Sequence, residues 1–182
     1  MTEGSIVIGK DSKYPIEVTV YSTKATIDIL TESNMEFAIE MIEKEQLATP
    51  LMFVYTKDKM FILPLSIELA TDTKSSAADQ VVPLLKTFKL NEDRTGKILG
   101  YQVIFEAWMS RAKTPDPKKF IKKYKYGDIA KMEDRVDALL NVVNISKKDL
   151  KTEIYEQQKL ESEDKVTVKK LSEYYNGKGK GW

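Results

Sequence analysis

The sequence contains no cysteine and no histidine. Without cysteine there can be no disulfide, no thiolate nucleophile and no cysteine-ligated zinc or iron–sulfur cluster. Without histidine the chain lacks the most common general base and metal ligand, and every Ser-His-Asp arrangement is excluded. Carboxylate chemistry with Mg²⁺ or Ca²⁺, and catalysis by lysine, tyrosine or glutamate, stay open. We therefore predict no cofactor, assign no catalytic or metal-binding residue, and favour a protein that is not an enzyme.

The sequence also has no run of about 18 apolar residues, so we predict no transmembrane helix. Residues Met1 to Ser5 lack the basic and apolar segments of a secretory signal. We therefore expect a cytoplasmic protein that binds no membrane. The chain is nearly neutral, since it contains 29 Lys and Arg residues and 28 Asp and Glu residues. Binding of nucleic acid would need a local basic patch.

The 182 residues, 42% hydrophobic and 31% charged, are typical of one folded domain. Their pattern indicates a β-rich N-terminal extension over residues 1–32 and a core domain over residues 33–172. Residues 173–182 are rich in glycine and lysine, which predicts a flexible tail.

The clearest element runs from Ile98 to Ala112, which is rich in β-branched and aromatic residues and has no proline. Alternate side chains of a strand point to opposite faces. One face is apolar apart from a tyrosine hydroxyl: Tyr101, Val103, Phe105, Ala107 and Met109. The other mixes amide, carboxylate and indole groups: Gln102, Ile104, Glu106, Trp108 and Ser110. We expect this second face to lie against water, a cleft or a partner.

Two helices and several antiparallel strands are predicted around this strand. Ser33-x-x-Glu36 fits a capping box that starts the first helix, although residues 26–30 could instead lead into it. The second helix covers residues 75–90, and Pro83 should kink it or mark a restart. The other strands are predicted at residues 5–8, 16–21, 24–30, 51–56, 60–65, 138–145 and 150–160, with a last strand or helix start at 166–171. The predicted fold class is α+β, an antiparallel sheet with two main helices packed on one face.

The order of these elements resembles an uncharacterised family of small α+β proteins from prokaryotes and phages. The residues that carry the resemblance are Glu106-Ala107-Trp108-Met109 at the end of the central strand and the Asp134-Arg135 pair. It covers roughly residues 33–160. The resemblance implies the fold and brings no established activity.

Glu106 is the first candidate functional residue, because a carboxylate beside Phe105 and Trp108 could act as an acid or base. Asn141 is predicted to share its face on a neighbouring strand, with Arg111 and Arg135 near the strand end. The alternative is that Glu106 pairs with an arginine or lysine on an exposed face. We favour this alternative, since a lone carboxylate without histidine is seldom a catalyst.

Trp108 is a second candidate, either as a ligand platform or interface anchor, or as a cap on the core. A sheet face carrying Ile104, Trp108 and Val143 would need cover, which favours a homodimer. The first functional prediction is a non-enzymatic protein-interaction or assembly module that binds a protein partner or a second copy. The binding residues are predicted to be Glu106, Trp108, Arg111, Arg135 and Asn141.

A basic segment with interleaved aromatic residues spans residues 118–126. Its lysines could hold phosphates and its aromatic rings could stack on bases: Lys118, Lys119, Lys122, Lys123, Tyr124 and Tyr126. The alternative, which we prefer given the near-zero net charge, is an amphipathic helix that docks on the body of the protein. Nucleic-acid binding is the second functional prediction.

A third alternative is a hydrolase that uses carboxylates and a metal ion. Asp149 to Glu153 and Glu161 to Asp164 concentrate acidic residues, but their spacing matches no metal loop. We predict that both segments are solvated turns.

Overall fold

The structure is a computed structural model that describes residues 2–9, 15–44, 50–65, 77–110, 133–145, 149–160 and 165–178. The strands are β1 (Thr2–Ile8), β2 (Ile16–Ser22), β3 (Leu51–Tyr55), β4 (Lys59–Pro64), β5 (Gly100–Ser110), β6 (Arg135–Ile145), β7 (Asp149–Leu160) and β8 (Lys165–Lys178). The helices are α1 (Ile27–Glu43), α2 (Ala77–Leu90) and α3 (Glu92–Thr95). Among these helices, none has the length and apolar character needed to cross a bilayer.

All eight described strands form one sheet in the order β1-β2-β4-β3-β5-β6-β7-β8, and every neighbouring pair is antiparallel. The predicted central strand is confirmed as β5, which lies between β3 and β6. The strands predicted at 51–56 and 60–65 are confirmed as β3 and β4, which form a hairpin whose turn is closed by the Thr56 N–H donating to the Lys59 carbonyl at 2.9 Å. The α+β class with an antiparallel sheet is therefore confirmed.

Both ends of the described chain join this sheet. β2 pairs with β4 from Thr19↔Ile62 to Ser22↔Lys59, and Ile8 is buried in the core. Residues of the predicted N-terminal extension thus lengthen the sheet of the core domain. At the other end β8 continues to Lys178, into the segment predicted as a tail.

The first helix begins earlier than the Ser33 capping box predicts. Thr26 is extended and its hydroxyl accepts a hydrogen bond from the Ile29 N–H at 3.5 Å, so Thr26 is the N-cap. Asp28 in the first turn complements the positive end of the helix dipole. Residues 27–30 are therefore helical, and the strand predicted at 24–30 is wrong.

The two main helices cover opposite faces of the sheet. In β3, Met52 and Val54 pack with α2, whereas Phe53 and Tyr55 pack with α1. We name the two surfaces the α2 face and the α1 face after these contacts. The helices therefore do not share one face as predicted. The physical reason is that β3 is buried on both sides, so each side needs its own cover.

The α2 face holds an apolar core that reaches from β1 to β5. Its buried members are Ile8, Val18, Met52, Val54, Phe61, Leu63, Leu65, Val81, Leu85, Phe88, Ile98 and Val103. α2 continues through Pro83 rather than restarting there, and the Phe88 ring meets Phe61 edge-on with centroids 5.2 Å apart. The apolar face predicted for the central strand lies here, since Tyr101, Val103 and Phe105 belong to this core.

Candidate functional site

A row of polar side chains crosses the α1 face, and we call it the polar ladder. It comprises Asn34, Tyr55, Gln102, Asn141, Glu153 and Lys170, which come from α1, β3, β5, β6, β7 and β8. Asn34 donates to the Tyr55 hydroxyl at 2.9 Å, and that hydroxyl donates to Gln102 Oε1 at 2.5 Å. The ladder therefore links the helix to five strands of the sheet.

Gln102 is the centre of the ladder and is completely buried. Its Nε2 donates to Asn141 Oδ1 at 2.9 Å and to the Thr31 carbonyl at 3.0 Å. Among the described residues no buried side-chain nitrogen or oxygen lacks a hydrogen-bond partner. A fully satisfied network of this kind stabilises one arrangement of the helix on the sheet, because a misplaced partner would leave a buried polar group unpaired.

The ladder ends in a charged group between β7 and β8. Asn141 Nδ2 donates to Glu153 Oε2 at 2.7 Å, as the two residues are paired directly across the strands. Glu153 Oε1 accepts from Lys170 at 2.5 Å and from Lys151 at 3.0 Å. Both lysines also contact Glu173, at 2.6 and 3.4 Å respectively. The predicted solvated turn around Glu153 is wrong, because this carboxylate is only 6% exposed and lies in a strand.

The protonation states at this end follow from the contacts. Burial by itself would raise the pKa of Glu153, but hydrogen bonds from Lys170, Lys151 and Asn141 lower it below its ordinary value. Hydrogen bonds to Glu153 and Glu173 raise the pKa of Lys170. Burial would lower the pKa of Lys151, yet the same two carboxylates raise it. Glu153, Lys151 and Lys170 are therefore charged at neutral pH.

The tyrosine end of the ladder is neutral. Burial raises the pKa of Tyr55 well above its ordinary value, and the hydrogen bond from Asn34 opposes this only in part. The phenol thus keeps its proton and can donate it to Gln102. The ladder carries charge at one end and neutral donors and acceptors at the other.

An open cleft of about 450 Å³ lies beside the charged end, between α1 and strands β6 to β8. Its helix wall is formed by residues on one side of α1: Asp28, Thr31, Glu32, Met35, Glu36 and Ile39. Its strand wall is formed by Asn141, Val143, Ile145, Lys151, Glu153, Tyr155 and Lys170. The size of the cleft falls within the range of small-molecule sites.

Glu106 and Asn141 lie on the same sheet face, as predicted, but they belong to different contacts. The register places Glu106 opposite Leu139 and Asn141 opposite Ile104. Glu106 is exposed and accepts a hydrogen bond from Gln157 Nε2 at 3.3 Å. Asn141 belongs to the polar ladder. Glu106 and Asn141 therefore belong to different hydrogen-bonded groups. Neither residue contacts a described arginine through these hydrogen bonds.

Trp108 lies farther along β5 and is 55% exposed, so it does not cap the core. The apolar patch predicted from Ile104, Trp108 and Val143 is wrong, because Ile104 and Val143 are only 2% and 6% exposed and are already covered within the chain. The Arg135 guanidinium lies over the Trp108 ring, 5.4 Å from the centroid. Asp137 is opposite Trp108 on β6, and Glu106 and Gln157 are nearby on the same face. We call Glu106, Trp108, Arg135, Asp137 and Gln157 the Trp108 surface.

Several predicted site residues lie outside the described residues. They are Arg111, Lys118, Lys119, Lys122, Lys123, Tyr124 and Tyr126. The nucleic-acid alternative and the segment 161–164 therefore stay predictions. Within the described ranges, no group of three or more Asp, Glu, His or Cys residues is arranged to hold a metal ion.

Sequence reasoning missed the ladder as a unit and singled out only one of its six residues, Asn141, as a binding residue. Gln102 interrupts an otherwise apolar strand in the same way as Asn141, and this signal could have identified it. Asn34, Glu153 and Lys170 carry no such signal, because each lies in a segment where polar and apolar residues are mixed. Only the sheet register and the docking of α1 bring the six side chains together.

Comparisons with known proteins returned no matching family model, no matching curated protein and no matching solved structure. The resemblance to the family with the Glu-Ala-Trp strand motif therefore stays an expectation from the sequence.

Proposed function

We propose that this protein is an interaction module that forms a homodimer through the Trp108 surface. The observation that carries the proposal is the exposed Trp108 ring with the Arg135 guanidinium over it. Tryptophan and arginine are the residues most enriched at the energetic centres of protein interfaces. The Arg135 guanidinium already lies over the Trp108 ring in the single chain, so the two side chains would lose less freedom on association.

The residues around the pair favour a second copy as the partner. Glu106 and Asp137 supply negative charge, and Arg135 supplies positive charge. In a twofold interface the same surface meets itself, so any charged groups on it need opposite charges on that same surface to pair with. Arg135 of one copy could then face a carboxylate of the other, with Gln157 at the polar rim. A surface of one sign would repel itself and would not support this proposal.

The first test is the solution mass measured by light scattering at low and high salt. We expect the wild type to have twice the 20.8 kDa mass of the chain and Trp108→Ala to have the monomer mass. The matched control is Phe37→Ala, which removes an aromatic ring of nearly equal exposure, 53%, from the outer side of α1. That variant should remain a dimer.

Unfolding measurements on the same samples show whether Trp108→Ala disrupts an interface or destabilises the fold. Because Trp108 is exposed, its truncation should change the free energy of unfolding of the isolated chain by no more than about 0.5 kcal/mol. A wild type that stays monomeric at high protein concentration would overturn the proposal. Equal dissociation by Phe37→Ala would also overturn it, since the interface would then not be specific to the Trp108 surface.

A further inference from the structure

We propose that the cleft between α1 and strands β6 to β8 binds a small molecule of the amino-acid class, one that carries both an ammonium and a carboxylate group. None of the residues that line the cleft belongs to the Trp108 surface. The two proposals therefore stand on different residues and can fail separately.

The first argument is the row of carboxylates on the helix wall. Asp28, Glu32 and Glu36 recur every four residues along α1, so they project from one side of the helix. None of the three carboxylates forms an ion pair with a described residue. An ammonium group in the cleft would gain their attraction.

The second argument is that one lysine on the strand wall keeps hydrogen-bonding capacity. An ammonium group has three N–H donors. Lys151 and Lys170 each contact two carboxylates, those of Glu153 and Glu173. The Lys170 ammonium also lies over the Tyr155 ring, 6.0 Å from its centroid, so Lys151 is the lysine with a donor left for a ligand. The Lys151 side chain is 34% exposed, so a ligand carboxylate can reach it.

The third argument is the rigid floor between these walls. Glu153 and Asn141 are almost fully buried and are held by the polar ladder, so the lysines are positioned before a ligand arrives. Val143 and Ile145 add an apolar strip that suits methylene groups. A molecule with a short hydrocarbon chain between its two charged ends would contact the helix wall, the apolar strip and the lysines of the strand wall.

The total charge of the lining predicts an order of affinity. Four carboxylates and two ammonium groups line the cleft, which leaves a formal surplus of two negative charges. A basic amino acid should therefore bind more tightly than a neutral one, and an acidic one should bind most weakly. A simple carboxylate is repelled by the acidic helix wall, and a simple amine accepts no hydrogen bond from the lysines of the strand wall.

The test is calorimetric titration of the full chain with L-lysine, 6-aminohexanoate, hexylamine, hexanoate and L-glutamate. We expect L-lysine to bind most tightly and 6-aminohexanoate to bind more tightly than hexylamine or hexanoate. Absence of binding by both zwitterions at millimolar concentration would overturn the proposal. Equal binding of hexylamine and 6-aminohexanoate would overturn it as well, because the carboxylate end would then not be recognised.

Variants assign the two ends of the ligand to the two walls. Glu32→Gln and Lys151→Met should each weaken the binding of 6-aminohexanoate about tenfold, the effect of losing one charged hydrogen bond. Glu40→Gln is the control, since Glu40 lies on the same helix outside the cleft and pairs with Lys44. A similar loss in this control would overturn the proposal, because it would indicate attraction to the helix charge in general. Circular dichroism verifies that each variant is folded.

Discussion

The two faces of one sheet differ sharply in how they are built. The α2 face is closed by apolar side chains, which include the edge-on pair of Phe61 and Phe88. The α1 face has its own apolar cluster, yet a continuous polar ladder runs through it and a cleft opens beside it. The same strands supply both faces through alternate residues. One face of the sheet therefore serves only to stabilise the fold, while the other carries the polar ladder and the cleft.

The comparison also indicates where the fold can tolerate change. Apolar packing is non-directional, so its contribution scales with buried area. Hydrogen bonds in the ladder are directional, and their loss leaves buried partners unpaired. Substitutions on the two faces should therefore lower the free energy of unfolding for different reasons, and the expected losses differ in size.

The largest effect is expected on the α2 face. Phe88→Ala removes a fully buried ring and should lower the free energy of unfolding by about 3–5 kcal/mol, measured by urea denaturation. Val82→Ala on the exposed side of the same helix, where the side chain is 49% exposed, should change it by less than about 0.5 kcal/mol. Comparable losses in the two variants would show that α2 does not pack as described.

An intermediate effect is expected in the middle of the ladder. Gln102→Leu keeps the volume but removes the acceptor of the Tyr55 hydroxyl proton and the donor to the Asn141 amide oxygen, at a cost of about 2–3 kcal/mol. Tyr55→Phe removes only one hydroxyl and should cost about 1 kcal/mol. If Gln102→Leu were as stable as the wild type, the ladder would not contribute to folding and the contrast between the faces would fail.

The smallest effect is expected at the charged end, and it depends on pH. Because the pKa of Glu153 is lowered on folding, its contribution is present above its ordinary pKa of 4.5 and is lost as the pH falls through the lowered value. Glu153→Gln should cost about 1–2 kcal/mol at pH 7. Stability curves of variant and wild type, followed by thermal unfolding, should converge in acid. Parallel curves down to pH 2 would contradict the lowered pKa, and Glu40→Gln serves as an exposed control.

Prediction from the sequence was successful where the signal was local. The alternation of Tyr101 to Ser110 identified the central strand and its apolar face, because strand periodicity is a property of neighbouring residues. The other face was expected to be open to water, a cleft or a partner, which is wrong for Gln102 and Ile104, since both are buried under α1. The start of α1 was misplaced because both Thr26 and Ser33 can cap a helix. Trp108 was recognised as a candidate, but its exposure could not be read from a pattern that fits a core and an interface equally well.

By itself, the sequence determined the α+β class, the antiparallel strands and the absence of cysteine and histidine chemistry, since these depend on composition and on periods of a few residues. Only the tertiary structure decided which helix covers which face and how Asn34, Gln102 and Glu153 come to share one network. The tertiary structure was needed because these contacts join residues that are far apart in the sequence. Asn34 and Gln102 are 68 positions apart, and their meeting depends on sheet register and helix docking, which no local pattern records.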